Sequence, residues 1–168
     1  MVSLKKNQSG FTIVELLIVI VIIGILAGLV ISTFVGVQQK ARNSERQTDI
    51  NTISTQLEAY YAKNSGYPVL ADISGTTAGD TFRAANEIRL GDDNKALADP
   101  SSPTIKTLSS TVPSAVGNPY SYVTLPAGCV SPTTSTGGSN TGTFCTSYTL
   151  TAFMEGNNVN PYVKRSAN

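Results

Sequence analysis

The sequence of 168 residues contains no histidine, no tryptophan and only two cysteines. Without histidine, the chain has no imidazole base, no Ser-His-Asp triad and none of the most common zinc ligands. Its 12 Lys and Arg residues nearly balance 11 Asp and Glu residues, which leaves a formal charge of +1. This balance lacks the basic excess of a dedicated nucleic-acid binder. We therefore predict that the chain is not an enzyme, that it has no cofactor or metal site, and that it has no clear nucleic-acid site.

Charged residues are absent from Leu16 to Gln39, where Ile, Val, Leu, Ala and Gly predominate. A helix of roughly 20 apolar residues crosses a hydrocarbon core of about 30 Å, so this segment is long enough to span a membrane. A secretory signal peptide is less suitable, because its apolar region of about 7–15 residues would end at a small-residue cleavage site. We predict a span over residues 11–37, for which a plain membrane anchor is the simplest alternative.

A single carboxylate, Glu15, lies at the head of this predicted span. A carboxylate inside a membrane is costly and usually has a partner or a task. One near the end of a span can instead extend to the interface. Its position alone leaves both explanations of Glu15 open.

The segment around Glu15, residues 5–16, reads Lys-Lys-Asn-Gln-Ser-Gly-Phe-Thr-Ile-Val-Glu-Leu. It resembles the class III signal peptide of prepilins, the precursors of type IV pilins and type II secretion pseudopilins. In that superfamily a short basic leader ends in Gly, the next residue is usually Phe, and Glu follows four residues later in an apolar helix. The resemblance implies that a prepilin peptidase cuts between Gly10 and Phe11 and that Phe11 is then N-methylated. It further implies that Glu15 meets the freed amine of a neighbouring subunit and sets the register of assembly.

The resemblance also implies a function, namely a structural subunit of a type IV pilus-like filament that assembles through its apolar helix. Its partners would be other copies of itself, related minor pilins, the prepilin peptidase and the inner-membrane assembly machinery. It would be a single-pass membrane protein with an extracytoplasmic C-terminal domain, and afterwards part of a cell-surface filament. The alternatives are a pseudopilin of a type II secretion system, a competence pilin for DNA uptake and a monomeric membrane-anchored binding protein.

Beyond the span, apolar residues recur at spacings of three and four, which marks one face of a helix. They are Ile50, Ile53, Leu57 and Tyr60 or Tyr61. Because no proline precedes Pro68, we predict one helix from about Phe11 to about Lys63. Asn, Ser and Gly at positions 64–66 favour its end. We interpret the tyrosines near this end as packing residues.

The remaining residues favour a small α+β domain. A short helical pattern from Asp80 to Leu97 is broken at residues 91–94. Alternating or β-favouring residues predict strands at Tyr120–Leu125 and Thr146–Met154, with an edge strand at Tyr162–Arg165. We therefore predict an α+β fold in which a long N-terminal helix, with a transmembrane half and an amphipathic half, packs on a small antiparallel sheet. Its parts are a leader (1–10), a transmembrane and filament-core helix (11–37), an amphipathic continuation (38–66) and a pilin-like head domain (67–168).

Cys129 and Cys145 lie at the inner ends of two predicted strands. A disulfide between them would close the connecting loop and persist only outside the cytoplasm, whereas two separate buried thiols are the alternative. The Ser- and Thr-rich residues 131–143 cannot build a core, so we expect them to be solvated. Asp92 and Asp93 lack the ligand spacing of an EF-hand, which favours a solvated turn over a calcium site.

Overall fold

The computed structural model describes residues 10–156 and 160–168, without the side chain of Ser32. Residues 1–9, which hold most of the predicted leader, lie outside this description. The chain divides between Gln38 and Gln39 into two compact units. Helix α1, Ile13–Asn64, contributes residues to both.

In the first unit, α1 is apolar and exposed. The large hydrophobic side chains of this unit, from Phe11 just before the helix to Val37 within it, are all 50–87% exposed. By length and composition the helix is able to cross a membrane, as the run without charges predicts. A helix suits lipid because it satisfies its own backbone hydrogen bonds, even in a segment rich in β-branched residues.

In the second unit, α1 buries one face. Ile50, Ile53, Leu57 and Tyr60 are at most 2% exposed, which confirms the predicted amphipathic stripe. Tyr61 is partly buried and its ring stacks on that of Tyr67 at a centroid distance of 4.6 Å. These tyrosines are packing residues, as the sequence indicates.

The C-terminal end of α1 uses two residues in different ways. Ser65 adopts a left-handed conformation with φ of 57° and donates its N–H to the carbonyl of Tyr61 at 2.7 Å. Gly66 fits because the adjoining loop lies very close. A Cβ at this position would stand 2.7 Å from Pro132 Cγ and 3.0 Å from Phe144 Cβ. The predicted stop is therefore confirmed, and close packing explains the glycine.

Three strands form one antiparallel sheet in the order β1-β2-β3. They are β1, Ser121–Leu125; β2, Ser147–Ala152; and β3, Tyr162–Arg165. Leu150 of β2 lies opposite Tyr122 on one side and Lys164 on the other. The alternate side chains Tyr148, Leu150 and Ala152 are buried in the core that α1 also lines. The predicted α+β arrangement is confirmed.

Two short helices, α2 (Leu70–Ile73) and α3 (Thr77–Ala85), connect α1 to the sheet. The helical pattern predicted for 80–97 differs from the structure, which starts α3 earlier because the side chain of Thr76 accepts the N–H of Gly79 at 3.2 Å. Helix α3 ends at Ala85, and a separate 3₁₀ segment follows at Asp92–Leu97. Positive φ values at residues 91, 93 and 94 interrupt the pattern where a break was predicted.

The prediction that residues 131–143 are all solvated is wrong at the start of this segment. Ser131 is 1% exposed, and Pro132 is also buried. The hydroxyl of Ser131 accepts the N–H of Val69 at 2.8 Å and donates to the carboxylate of Asp72. The first residues of the loop are thus buried against the end of α1, where Pro132 lies close to Gly66. The exposed part of the loop starts at Ser135.

Candidate functional site

The N-terminal end of α1 is closed by a reciprocal pair of side chains, Thr12 and Glu15. The hydroxyl of Thr12 accepts the N–H of Glu15 at 3.3 Å. In return, Oε2 of Glu15 accepts the N–H of Thr12 at 2.9 Å and its hydroxyl proton at 2.7 Å. This arrangement is a capping box, in which each side chain satisfies a backbone donor that the helix leaves unpaired. The carboxylate of Glu15 is therefore held at the first turn of α1.

The role of Thr12 was not predicted from the sequence. The signal was present, because Thr-x-x-Glu directly before an apolar run is typical of a helix start. Gly10 and Phe11 precede this cap and lie outside the helix. Phe11 is 85% exposed, and a Cβ placed on Gly10 would meet nothing within 4 Å. The bond between these two residues is therefore sterically open.

The apolar surface of α1 that follows the cap contains two glycines, which have no side chains. Gly24 and Gly28 are spaced as in G-x-x-x-G, and a Cβ on either would meet nothing within 4 Å. Such a pair permits close approach of another helix. Nearby, the hydroxyl of Thr33 donates to the carbonyl of Val30 at 2.9 Å, so this polar group is satisfied within the helix.

The second unit holds a buried ion cluster that joins α1 to two distant segments. Arg46, fully buried, donates Nε to Asp99 Oδ2 at 2.6 Å and Nη2 to Asp99 Oδ1 at 3.0 Å. Its Nη2 also lies 2.7 Å from Glu155 Oε1. Arg42 binds the same Glu155 carboxylate through Nε at 2.8 Å and Nη2 at 2.5 Å. We call Arg42, Arg46, Asp99 and Glu155 the helix clasp.

Hydrogen bonds from Arg42 and, to a smaller extent, from Arg46 lower the pKa of Glu155 to about 2, although partial burial opposes the shift. Asn43 completes the attachment, since its side chain donates to the carbonyl of Glu155 and accepts its N–H, both at 2.9 Å. No local sequence pattern could reveal this contact, because its partners are more than 100 positions apart.

A second buried carboxylate, Asp49, lies one turn further along α1. It is 8% exposed, and its Oδ2 accepts the hydroxyl proton of Tyr120 at 2.8 Å. Burial raises the pKa of Asp49 to about 6, although the hydrogen bond from Tyr120 opposes the shift. The group therefore titrates close to physiological pH.

The other sites considered from the sequence lie in the second unit. A disulfide joins Cys129 and Cys145, whose Cα atoms are 5.0 Å apart. Asp92 and Asp93 are both exposed, and Asp93 forms an ion pair with Lys106. Within residues 10–156 and 160–168, no three acidic or cysteine side chains are grouped to hold a metal ion.

Residues 5–31 match the family described as the prokaryotic N-terminal methylation motif. The chain is 40% identical over 65 residues to type II secretion system core protein G of Dickeya chrysanthemi. The matched stretch covers 39% of this chain and 42% of that protein. It is 42% identical over 64 residues to the protein of the same name from Aeromonas hydrophila, covering 38% and 45%. It is 38% identical over 64 residues to that of Pseudomonas aeruginosa, again covering 38% and 45%.

The chain thus spans less than half the length of these relatives. No solved structure was found to match it. The shared motif includes Gly10, Phe11, Glu15 and most of the apolar part of α1, and an apolar helix joined to a small α+β domain accompanies it. In its methylation motif and in the 64–65 residues that it shares with these relatives, the chain is similar to the type IV pilin and pseudopilin superfamily.

Proposed function

We propose that the chain is a subunit of a pilin-like filament, held in the membrane as a precursor and assembled through the apolar half of α1. The observation that carries this proposal is the exposure of 50–87% for the large hydrophobic side chains from Phe11 to Val37. A contiguous apolar surface of this extent is not stable in water and requires lipid or another apolar surface around it. Packed helices of other copies would replace the lipid on assembly.

The cap geometry supports processing between Gly10 and Phe11 by a prepilin peptidase, followed by N-methylation of Phe11. The cut would create an amine near the end of α1, with an ordinary pKa of about 8 and hence a positive charge. Glu15, already oriented by Thr12, would accept the amine of a neighbouring copy. Charges that are costly alone in an apolar bundle are tolerated as a pair, so the pair would fix the axial register.

The filament could serve a type II secretion system or a pilus. We infer a pseudopilin of a type II secretion system, because several relatives are named type II secretion system core protein G. A type IV pilus or a competence pilus is the second candidate, favoured by the loop that the Cys129–Cys145 disulfide encloses. In either case the partners would be further copies, minor pilins and the inner-membrane assembly machinery. The disulfide also supports an extracytoplasmic location for the C-terminal domain.

The first experiment tests processing and register together. Glu15→Gln keeps the shape of the side chain and removes its charge. We expect normal expression and cleavage, and a loss of assembled filament of at least about tenfold, because a buried ion pair contributes more than 1.4 kcal/mol. Filament yield is measured as the amount of protein that is sheared from cells and sedimented. Processing is measured by mass spectrometry of the intact protein, whose mass should match a chain that starts at methylated Phe11.

Glu87→Gln is the matched control, since Glu87 is an exposed carboxylate paired with exposed Lys63. It should assemble normally. Wild-type filament yield from Glu15→Gln would contradict the register proposal. Filaments of normal form that retain residues 1–10 would contradict the processing proposal, and a monomer that never assembles would favour an anchored binding protein.

The second experiment separates the two kinds of machinery. Deletion of the gene in its native host should abolish export of proteins that require type II secretion and leave surface pili unchanged. Loss of surface pili or of DNA uptake with normal secretion would instead assign the chain to a pilus.

A further inference from the structure

Strand β3 has one free edge. Its other edge pairs with β2, where Leu150 lies opposite Lys164, and Ser166 donates its N–H to the carbonyl of Tyr148 at 3.1 Å. In an antiparallel pair, alternate residues direct their backbone groups toward the partner strand. The N–H and C=O groups of Val163 and Arg165 therefore point away from β2. Within residues 10–156 and 160–168 these four groups have no hydrogen-bond partner.

The free edge carries two adjacent cations, Lys164 and Arg165. Neither forms an ion pair with any other residue for which the structure gives a position. Adjacent residues of a strand point to opposite faces of the sheet, so each face of this edge has one unpaired positive charge. Cations on an edge strand ordinarily repel a basic strand and discourage neutral ones. An acidic strand is the exception, because cross-strand pairs of opposite charge are favourable.

We propose that the free edge of β3 binds an extended peptide segment that contains two adjacent acidic residues, by addition of a strand to the sheet. The backbone of the segment would pair with the outward groups of Val163 and Arg165. Its two carboxylates, one on each face, would lie beside Lys164 and Arg165. This surface does not depend on filament assembly, although an ordered array of copies would multiply a weak interaction.

The occupant is a segment of another protein. The chain contains one pair of adjacent acidic residues, Asp92 and Asp93. Both lie in the 3₁₀ segment, where Asp93 has a φ of 50° and is paired with Lys106. They are therefore not in the extended conformation that strand addition requires, and another copy of the chain does not supply the ligand.

The probe is the capped peptide Thr-Val-Glu-Glu-Val-Thr, added to the full chain in neutral detergent. NMR should show shifted amide signals and slower hydrogen exchange at Val163 and Arg165, with little change in β1. Two comparison peptides separate the two parts of the proposal. The Lys-Lys analogue tests charge, and an analogue with N-methylated amides along one edge tests backbone pairing. Neither should bind.

The variant Lys164→Glu/Arg165→Glu should weaken binding of the acidic peptide by about tenfold, because two attractive cross-strand pairs become repulsive. It should also gain binding of the Lys-Lys peptide. Arg89→Glu is the matched control, since Arg89 is another exposed cation but lies outside the sheet, and it should bind as the wild type does. Preserved exchange protection in β2 shows that the double variant is folded.

Three outcomes would overturn the proposal. They are no binding of the acidic peptide to the wild type, equal binding to the double variant, and signal changes away from β3. Loss of filament assembly in Glu15→Gln would not affect any of these measurements, so this proposal and the filament proposal fail separately.

Discussion

At the scale of single residues, Glu15 has two tasks that use the same oxygen atoms. In the isolated chain its carboxylate closes the capping box with Thr12. In the proposed filament it would also accept an amine from another copy. A carboxylate can accept several hydrogen bonds at once, so the cap and the intermolecular pair are compatible. The cap thereby reduces the freedom that Glu15 loses on assembly.

Asp49 gives the stability of the chain a pH dependence. Its pKa of about 6 in the folded chain exceeds its ordinary value of 3.8, so folding favours the protonated form. Well below pH 3.8 the group is protonated in both states and costs nothing. As the pH rises from about 4 to 6, the unfolded chain releases this proton while the folded chain retains it, so stability falls, and it levels off above about pH 6.

We therefore expect Asp49→Asn to raise the free energy of unfolding by about 2 kcal/mol at pH 7.5 and to change it little at pH 4. Denaturant titrations of the full chain in detergent between pH 4 and 8 measure this difference. Asp92→Asn, at an exposed position, is the control and should follow the wild type throughout. A constant gap between Asp49→Asn and wild type at every pH would show that burial of the charge is not its cause.

At the scale of elements, the end of α1 is a strained residue followed by a tightly packed one. Ser65 has a φ of 57°, a conformation that costs a residue with a side chain about 1 kcal/mol. Gly66 has no such φ but is enclosed by Pro132 and Phe144. The two positions should therefore respond in opposite directions to substitution.

Ser65→Gly should raise the free energy of unfolding by about 0.5 kcal/mol, because relief of strain exceeds the added entropy of the unfolded chain. Gly66→Val should lower it by about 2 kcal/mol, since the new side chain displaces the loop. Thermal unfolding of the two variants measures both changes. If both were destabilising to the same degree, the distinction between strain and packing would be wrong.

The helix clasp attaches the segment after β2 to α1. Because the pKa of Glu155 is lowered to about 2, the clasp stabilises the folded chain above about pH 4.5 and loses this contribution as the pH falls toward 2. We expect Glu155→Gln to reduce the free energy of unfolding by roughly 2–3 kcal/mol at pH 7, since it leaves buried Arg46 with one carboxylate fewer.

Glu87→Gln, which removes an exposed ion pair with Lys63, should have a much smaller effect in the same denaturation experiment. The difference between wild type and Glu155→Gln should also shrink on acidification. An equal loss in both variants, or a difference that grows in acid, would refute a stabilising role of the clasp.

At the scale of the whole molecule, the two units differ in how their apolar side chains are placed. The large apolar side chains of the first unit are exposed, whereas those of the second form a buried core. The first unit requires lipid or other helices around it. The second is held together by the C-terminal half of α1, the sheet and the disulfide. The disulfide joins cysteines that are 16 positions apart and so lowers the conformational entropy of the unfolded chain. In the chain-entropy account this contributes about 3 kcal/mol.

Reduction should therefore lower the free energy of unfolding of the second unit by about 3 kcal/mol, with the apolar helix of the first unaffected. Non-reducing proteolysis of the native protein should release a peptide that links Cys129 and Cys145. Cys129→Ser/Cys145→Ser gives the reduced reference without reagents. Alkylation of both cysteines in native protein without reductant would refute the linkage.

The sequence by itself determined the features that depend on near neighbours. The run without charges predicts the span, the spacing of Ile50, Ile53 and Leu57 predicts the buried face of α1, and alternation predicts β1 and β2. Residues 5–31 also match the N-terminal methylation motif. These are periodic or contiguous signals, which a chain expresses locally whatever its tertiary fold.

Only the tertiary structure decided which distant groups meet. The clasp joins Arg42 to Glu155 and Arg46 to Asp99, and neither pairing leaves a trace in local spacing. The burial of Ser131 and the pKa of Asp49 likewise depend on what the rest of the chain places around them. The free edge of β3 exists because the sheet ends there. Long-range packing sets desolvation and hydrogen bonding, and it therefore decided the electrostatics of this protein.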